Sequence, residues 1–389
     1  MDENRIDEQS SSAPVTEIDG LIDQAISSGR LVGAVVLIAC DGQLVYRRAA
    51  GLADRETGQA MRLDTLFRLA SLTKPIVTTA ALALVERGRI SFDDPVTRWL
   101  PEFRPALPNG ERPSITVRQL LTHTSGLNYG FLQAPGSDYH RAEISDGLDR
   151  PGRSMQDNLA RLASVPLMFR PGAGWQYSLS LDVLGAVIEQ AAARSLPEAV
   201  KQLVTEPLGL KDTDFTARDT RRLAAAYADG PGQAIRMGDP HTVPFLDGAG
   251  IVFAPSRVFD PSSFPSGGTG LVGTAPDFLR FLETIRGGGS PLVRPETAAA
   301  MMSNQVGELP VNSRGPGWGF GFGAAVLKDP ELAGSPHSAG TWGWGGVYGH
   351  SWFVDPARSL TVVGLTNTAI EGMAGQFPND LRSAIYLGK

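Results

Sequence analysis

Apolar runs of strand character lie at both ends of this chain, and helix-forming sequence lies between them. Residues 31–39 and 43–52 read as two strands joined by the Asp41-Gly42 turn. Strand-like runs return near the other end, in GWGFGFGAAVL, HSWFVD and SLTVVGLTN. Strands so far apart in sequence bury their apolar faces by sharing a sheet. The pattern therefore predicts an α+β fold, in which an antiparallel sheet assembled from both ends of the chain is flanked by helices and a helical subdomain is inserted. The expected division is a flexible leader over 1–14, an α/β subdomain from 15–80 and 196–389, a helical subdomain over 81–195, and a site between the two.

Helix signals fill the interior. An amphipathic pattern covers residues 15–29, and Thr116 and Gln119 have the reciprocal spacing of a capping box. LDVLGAVIEQAAARSLPEAVKQLV is rich in strong helix formers, APDFLRFLETIR reads as a short helix, and GQFPNDLRSAIYLGK returns to helix at the end. Glycine and proline dominate residues 228–274.

Composition removes several function classes. A net charge of −6 with scattered arginines argues against a nucleic-acid surface. The opening MDENRIDEQSSSAPV has neither a basic nor an apolar segment, and no later apolar run approaches the 18 or so residues that cross a bilayer, so a cytoplasmic protein is expected. The single cysteine, Cys40, excludes an intrachain disulfide and a cysteine-based zinc site, and reads as a buried bystander. His123, His140, His241, His337 and His350 include no pair at metal-ligand spacing, so no metal or other cofactor is expected. GWGFGFG and GWGGVYG fit neither a dinucleotide-binding turn nor a Walker loop.

One segment concentrates chemistry. In FRLASLTKPIVTTAALALVERGRISFDDPV, Ser71 precedes Lys74 by three residues at the start of a helix predicted over 71–87, with Gly88 as its stop. With 28 serines and 5 lysines in 389 residues, chance supplies about 0.4 such pairs, so the spacing alone decides nothing. A serine there sits at the positive end of the helix dipole with an ammonium one turn along, which would stabilise an alkoxide. A capping serine beside a solvated lysine is the plainer reading of this segment by itself. No Gly-x-Ser-x-Gly pentapeptide surrounds any serine, which argues against an ordinary α/β-hydrolase. Tyr177, in GWQYSLSLDVLG, could act as a base if a nearby ammonium lowered its pKa, although alone it reads as a packing aromatic. WGWGGVYGHSWFVD offers a strand edge on which Gly345 and Gly346 would let a substrate approach the main chain.

Together these blocks resemble one superfamily. LFRLASLTKP, LLTHTSGL, WQYSLSLDVLGAVIE, SGGTGLVGTAPDFLRFL and WGGVYGHSWFVDP stand in the order and spacing of the serine β-lactamases and penicillin-binding proteins, from about residue 31 to 386. Within the class C-like branch the chain is similar to the family VIII carboxylesterases and resembles their EstB-type members, known for removing acetyl groups, including that of cephalosporins. The resemblance implies a serine β-lactamase-like fold and a serine esterase. Ser71 would be the acylated nucleophile, Lys74 its activating partner and Tyr177 a base and proton donor held partly ionised by Lys74. The N–H groups of Ser71 and Val347 would form the oxyanion hole. Which of Lys74 and Tyr177 is the general base stays open.

Two positions depart from the β-lactamase pattern. Trp344-Gly345-Gly346 stands where β-lactamases carry Lys-Thr-Gly, and Leu179 where many carry asparagine. With Tyr129, these residues are expected to line a pocket for small neutral acyl groups, and His123 and His350 to stabilise loops near the site. The expected partner is a small-molecule ester, with no nucleic acid and no membrane. An acyltransferase on the same acyl-enzyme is the nearest alternative, followed by a weak β-lactamase or D-amino peptidase. A non-catalytic binding protein is disfavoured by the intact Ser71, Lys74 and Tyr177.

Overall fold

The computed structural model describes residues 12–387. Its main sheet has eight strands, all antiparallel to their neighbours. In order across the sheet they are Trp318–Phe320, Ala325–Leu327, Trp342–Gly346, His350–Asp355, Leu360–Thr366, Gly33–Cys40, Gln43–Asp54 and Gln59–Ala60. The seam between the two ends of the chain is the pairing of Gly33–Cys40 with Leu360–Thr366, from Ala34 opposite Thr366 to Cys40 opposite Leu360. Asp41 and Gly42 both take positive φ, 49° and 80°, the requirement of a two-residue hairpin turn whose twist matches its strands.

Strand Gly33–Cys40 is buried on both faces, and its period of two divides the core. Val35, Leu37 and Ala39 face the large cluster shared with the central helices, whereas Ala34, Val36 and Ile38 face a second cluster built with Ile18, Ile22, Phe377 and Leu381 from the terminal helices. Those helices are Ser12–Ser27 and Gln376–Leu387. The first starts three residues earlier than expected, inside the stretch read as a leader; residues 1–11 of that stretch lie outside the described residues.

The central helix runs Thr73–Glu86 and is buried from Thr73 to Leu84. It begins two residues later than predicted, because Ala70–Leu72 form a single 3₁₀ turn ahead of it. A boundary at residue 80 would cut this helix. A boundary at 195 would part helix Ser180–Ala192 from Leu196–Val200, which packs on it and on the central helix. The helix-forming stretch 181–204 breaks where Ala193 turns left-handed, φ 51°, and Ser195 starts the next helix with a capping box to Glu198. Thr116 and Gln119 form the expected capping box. Cys40 is half-buried rather than buried, because it ends its strand at the hairpin turn.

Candidate active site

Ser71 is placed by a turn under tension from both sides. Strand Phe67–Arg68 pairs with Val272–Gly273, Leu69 N–H donates to Leu271 O at 2.8 Å, and Leu271 N–H donates to Thr73 Oγ1 at 3.0 Å. Between these anchors Ala70 adopts φ 47°, a conformation that costs a non-glycine residue about 1 kcal/mol or more and persists only where its surroundings impose it. His350 Nε2 lies 2.8 Å from Arg68 O, tying the neighbouring strand to the same turn. Gly346 presses against it as well: a Cβ there would stand 2.7 Å from Leu69 O and 3.0 Å from Leu72 Cδ1.

The result is a short chain of polar atoms. Tyr177 OH donates to Ser71 Oγ at 2.6 Å, Lys74 Nζ donates to Ser71 Oγ at 3.2 Å and to Gly268 O at 2.9 Å, and Trp344 Nε1 donates to Tyr177 OH at 3.2 Å. Ser71 makes no helix cap, since the cap position of the Thr73–Glu86 helix is Leu72 and carries no side-chain bond. Lys74 is not solvated; it is fully buried, with Nζ 4.6 Å from the centroid of the Tyr177 ring and 5.3 Å from that of Tyr129.

Burial sets the electrostatics. Desolvation pushes the Lys74 ammonium down to about 7, against the opposing pull of the Asp182 carboxylate. Desolvation pushes the Tyr177 phenol up from its ordinary value, with the hydrogen bonds to Ser71 and Trp344 opposing it. Burial therefore works against the expectation that Lys74 would hold Tyr177 partly ionised. Without water around it the phenolate is the costly form, while the lysine loses its proton readily.

Three further pocket expectations change. Tyr129 and Leu179 are fully buried and line no open wall: Tyr129 stacks on Phe131 behind Lys74, and Leu179 directs its N–H at Asn128 O, 3.3 Å away. The bare sides of Gly345 and Gly346 are occupied by protein, since a Cβ on Gly345 would fall 2.6 Å from Met373 Cγ. These glycines answer to packing before substrate. Trp344 is half-exposed as a wall residue would be, but its indole N–H is engaged with Tyr177. The Val347 N–H, by contrast, has no acceptor among the described residues.

Behind Lys74 lies a buried cluster of which the sequence had singled out only Tyr129. Asp182 accepts from Ser266 Oγ at 2.5 Å, while its Oδ2 and the Tyr129 hydroxyl have no partner among the described residues. Both converge on bare Gly268, whose hypothetical Cβ would lie 2.7 Å from Asp182 Oδ2, 2.8 Å from Tyr129 Oη and 3.4 Å from Lys74 Nζ. The available signal was an acid five residues after Tyr177 and the SGGTG block. His123 stacks beside Tyr177 at 5.0 Å between centroids, with Nδ1 3.1 Å from Ser178 Oγ, and burial holds it well below its ordinary pKa. No group of three or more metal-ligating side chains occurs among the described residues, and none of their helices is long and apolar enough to cross a membrane.

A serine held between a buried lysine and a tyrosine, on a two-ended antiparallel sheet, defines the serine β-lactamase-like fold. Residues 18–385 match the β-lactamase family, and the chain belongs to that family. It is 54% identical to "Esterase EstB" of Burkholderia gladioli over 371 residues, covering 95% of this chain and 94% of that protein. It is 28% identical to "Lovastatin esterase" of Penicillium rubens, over 94% of this chain and 96% of that one. Among solved structures, "EstCE1, a hydrolase with promiscuous acyltransferase activity", superposes with a TM-score of 0.93 at 44% identity, covering 97% of this chain and 99% of that chain.

Proposed function

We propose that this protein is a serine carboxylesterase that cleaves short-chain acyl esters through an acyl-enzyme on Ser71. The observation that carries the reading is the convergence of Tyr177 Oη and Lys74 Nζ on Ser71 Oγ, at 2.6 and 3.2 Å. The names borne by the relatives at 54% and 44% identity support the same class of reaction.

In the proposed mechanism neutral Lys74 takes the Ser71 proton as Oγ attacks the ester carbonyl. The developing oxyanion is received by the N–H groups of Ser71 and Val347, and Tyr177 gives its proton to the departing alkoxide. The acyl-enzyme then faces a phenolate–ammonium pair. Water attacks the acyl carbonyl, its proton passes to Tyr177, and Lys74 returns its own to Ser71 Oγ as the acid leaves. Both groups end as they began. This assigns Lys74 as general base, in accord with its depressed pKa and the raised pKa of Tyr177.

Trp344 gives the acyl site an apolar rim, which favours acetate to butyrate over long or charged acyl groups. The acetyl ester of a cephalosporin is a fitting substrate, cleaved with the β-lactam ring mostly kept. A panel of aryl esters graded by acyl length, run beside Ser71→Ala, tests the reading; activity rising with chain length, or surviving in the variant, would overturn it. Acyl transfer to an added alcohol is the second reading, favoured by the printed description of EstCE1. Product ratios with and without that alcohol separate the two.

A further inference from the structure

A cavity of about 260 Å³ opens beside Trp344, between the sheet and the C-terminal helices. Its walls carry Arg314 and Arg382 and no aspartate or glutamate, in a protein whose net charge is −6. Arg314 has Cζ 4.8 Å from the Trp344 ring centroid and 5.3 Å from that of Trp318; among the described residues its one hydrogen bond is a long one, 3.5 Å, from Nη2 to Gly343 O. Arg382 donates to Asn379 Oδ1 at 2.9 Å. Neither guanidinium has a carboxylate within ion-pair distance among the described residues, both line the one cavity, and desolvation, with the Arg382 charge second, pushes Arg314 down to about 10. The acid closest in sequence to the wall residue Phe353, Asp355, is already engaged by Tyr386 OH and by the N–H groups of Ser338 and Arg358. The Ser351 hydroxyl, on the same wall, makes no bond to another described residue.

Two guanidiniums brought together without a counter-ion cost Coulomb energy that a bound anion would recover, and a planar fork suits carboxylate or phosphate oxygens. We propose that this cavity is an anion site, in which Arg314 and Arg382 take a carboxylate or phosphate group beside Trp344. Trp344 is the link: its ring stacks on Arg314 and its N–H donates to Tyr177 OH. The anion is either carried on the alcohol half of the ester, the half that Tyr177 protonates, or bound as a free ion. The kinetic consequence rests on the esterase reading; the binding itself does not.

Tryptophan fluorescence of the full chain, titrated with inorganic phosphate and with succinate at low ionic strength, measures binding directly. A saturable change is expected in the wild type, weakened about tenfold or more in Arg382→Gln and in Arg314→Gln, with Arg314→Lys intermediate. The two sources separate on a pair of esters, phenyl acetate and 4-acetoxybenzoate. A substrate-borne anion lowers the 4-acetoxybenzoate to phenyl acetate ratio of kcat/KM about tenfold in Arg382→Gln, with phenyl acetate hydrolysis unchanged. A free ion instead alters wild-type phenyl acetate hydrolysis on addition of phosphate, and does so no longer in that variant. Binding that survives both glutamine variants, or its absence from the wild type together with an unmoved ratio, overturns the site. A wild type inert toward phenyl acetate would sink the esterase reading and leave the titration to judge the cavity.

Discussion

Lys74 and Arg314 are both cations within two contacts of Tyr177, yet their surroundings set them to opposite tasks. Lys74 is fully buried, bonds a backbone carbonyl and the Ser71 hydroxyl, and is pushed down to about 7. Arg314 lies over two indole rings and keeps its charge, although desolvation pushes it down to about 10. An ammonium surrenders a proton when desolvation makes its charged form expensive, whereas a guanidinium delocalises its charge and does not. Under the proposed mechanism and the proposed anion site, the same sign of charge would serve proton transfer in one place and anion recognition in the other.

The most severe way to break this contrast is at its centre. Ser71→Ala is expected to lower ester hydrolysis by several orders of magnitude with the fold intact, and Lys74→Met and Tyr177→Phe nearly as far. The double variant should be little worse than either single one; losses that multiply would show that the two groups act separately. Gly268→Ala comes next. Its methyl would enter the space between Asp182, Tyr129 and Lys74, so a stability loss of about 1–3 kcal/mol is expected in denaturant unfolding, together with reduced activity. Wild-type stability in that variant would mean that the cluster is looser than described.

Trp344→Phe keeps an aromatic ring but removes the N–H that bonds Tyr177, and a fall of about tenfold in kcat/KM is expected, since one such bond is worth about 1 kcal/mol. No fall would detach the Arg314 side from the catalytic chain. The smallest effect is also the sharpest. Lys74 acts as a base only when unprotonated, so kcat/KM should rise with pH and level off above about 7. Asp182 favours the protonated ammonium, so Asp182→Asn should move that rise to lower pH, with Ser266 still able to bond the amide. A midpoint left in place would exclude Asp182 as the group that sets Lys74.

The ordered sequence blocks, through the family they resemble, singled out Ser71, Lys74 and Tyr177, and the fold brings those three side chains together. The strand runs at the two ends likewise disclosed the shared sheet, since alternation along 33–40 records which side chains go to which core. The capping box at Thr116 and the turn at Asp41-Gly42 were legible for the same reason: both are local, and backbone sterics settle them within four residues.

What escaped the sequence depends on residues that meet from far apart. That Lys74 is drier than Arg314, that Tyr177 is pushed up rather than down, and that Tyr129 and Leu179 lie inside the core follow from packing by segments more than 100 residues away. Gly268 O reaches Lys74 across 194 positions and Tyr177 reaches Ser71 across 106. Residue identity determined which groups could exchange a proton; only the tertiary structure, by desolvating both cations, brought the lysine down to about 7 while the guanidinium stayed at about 10.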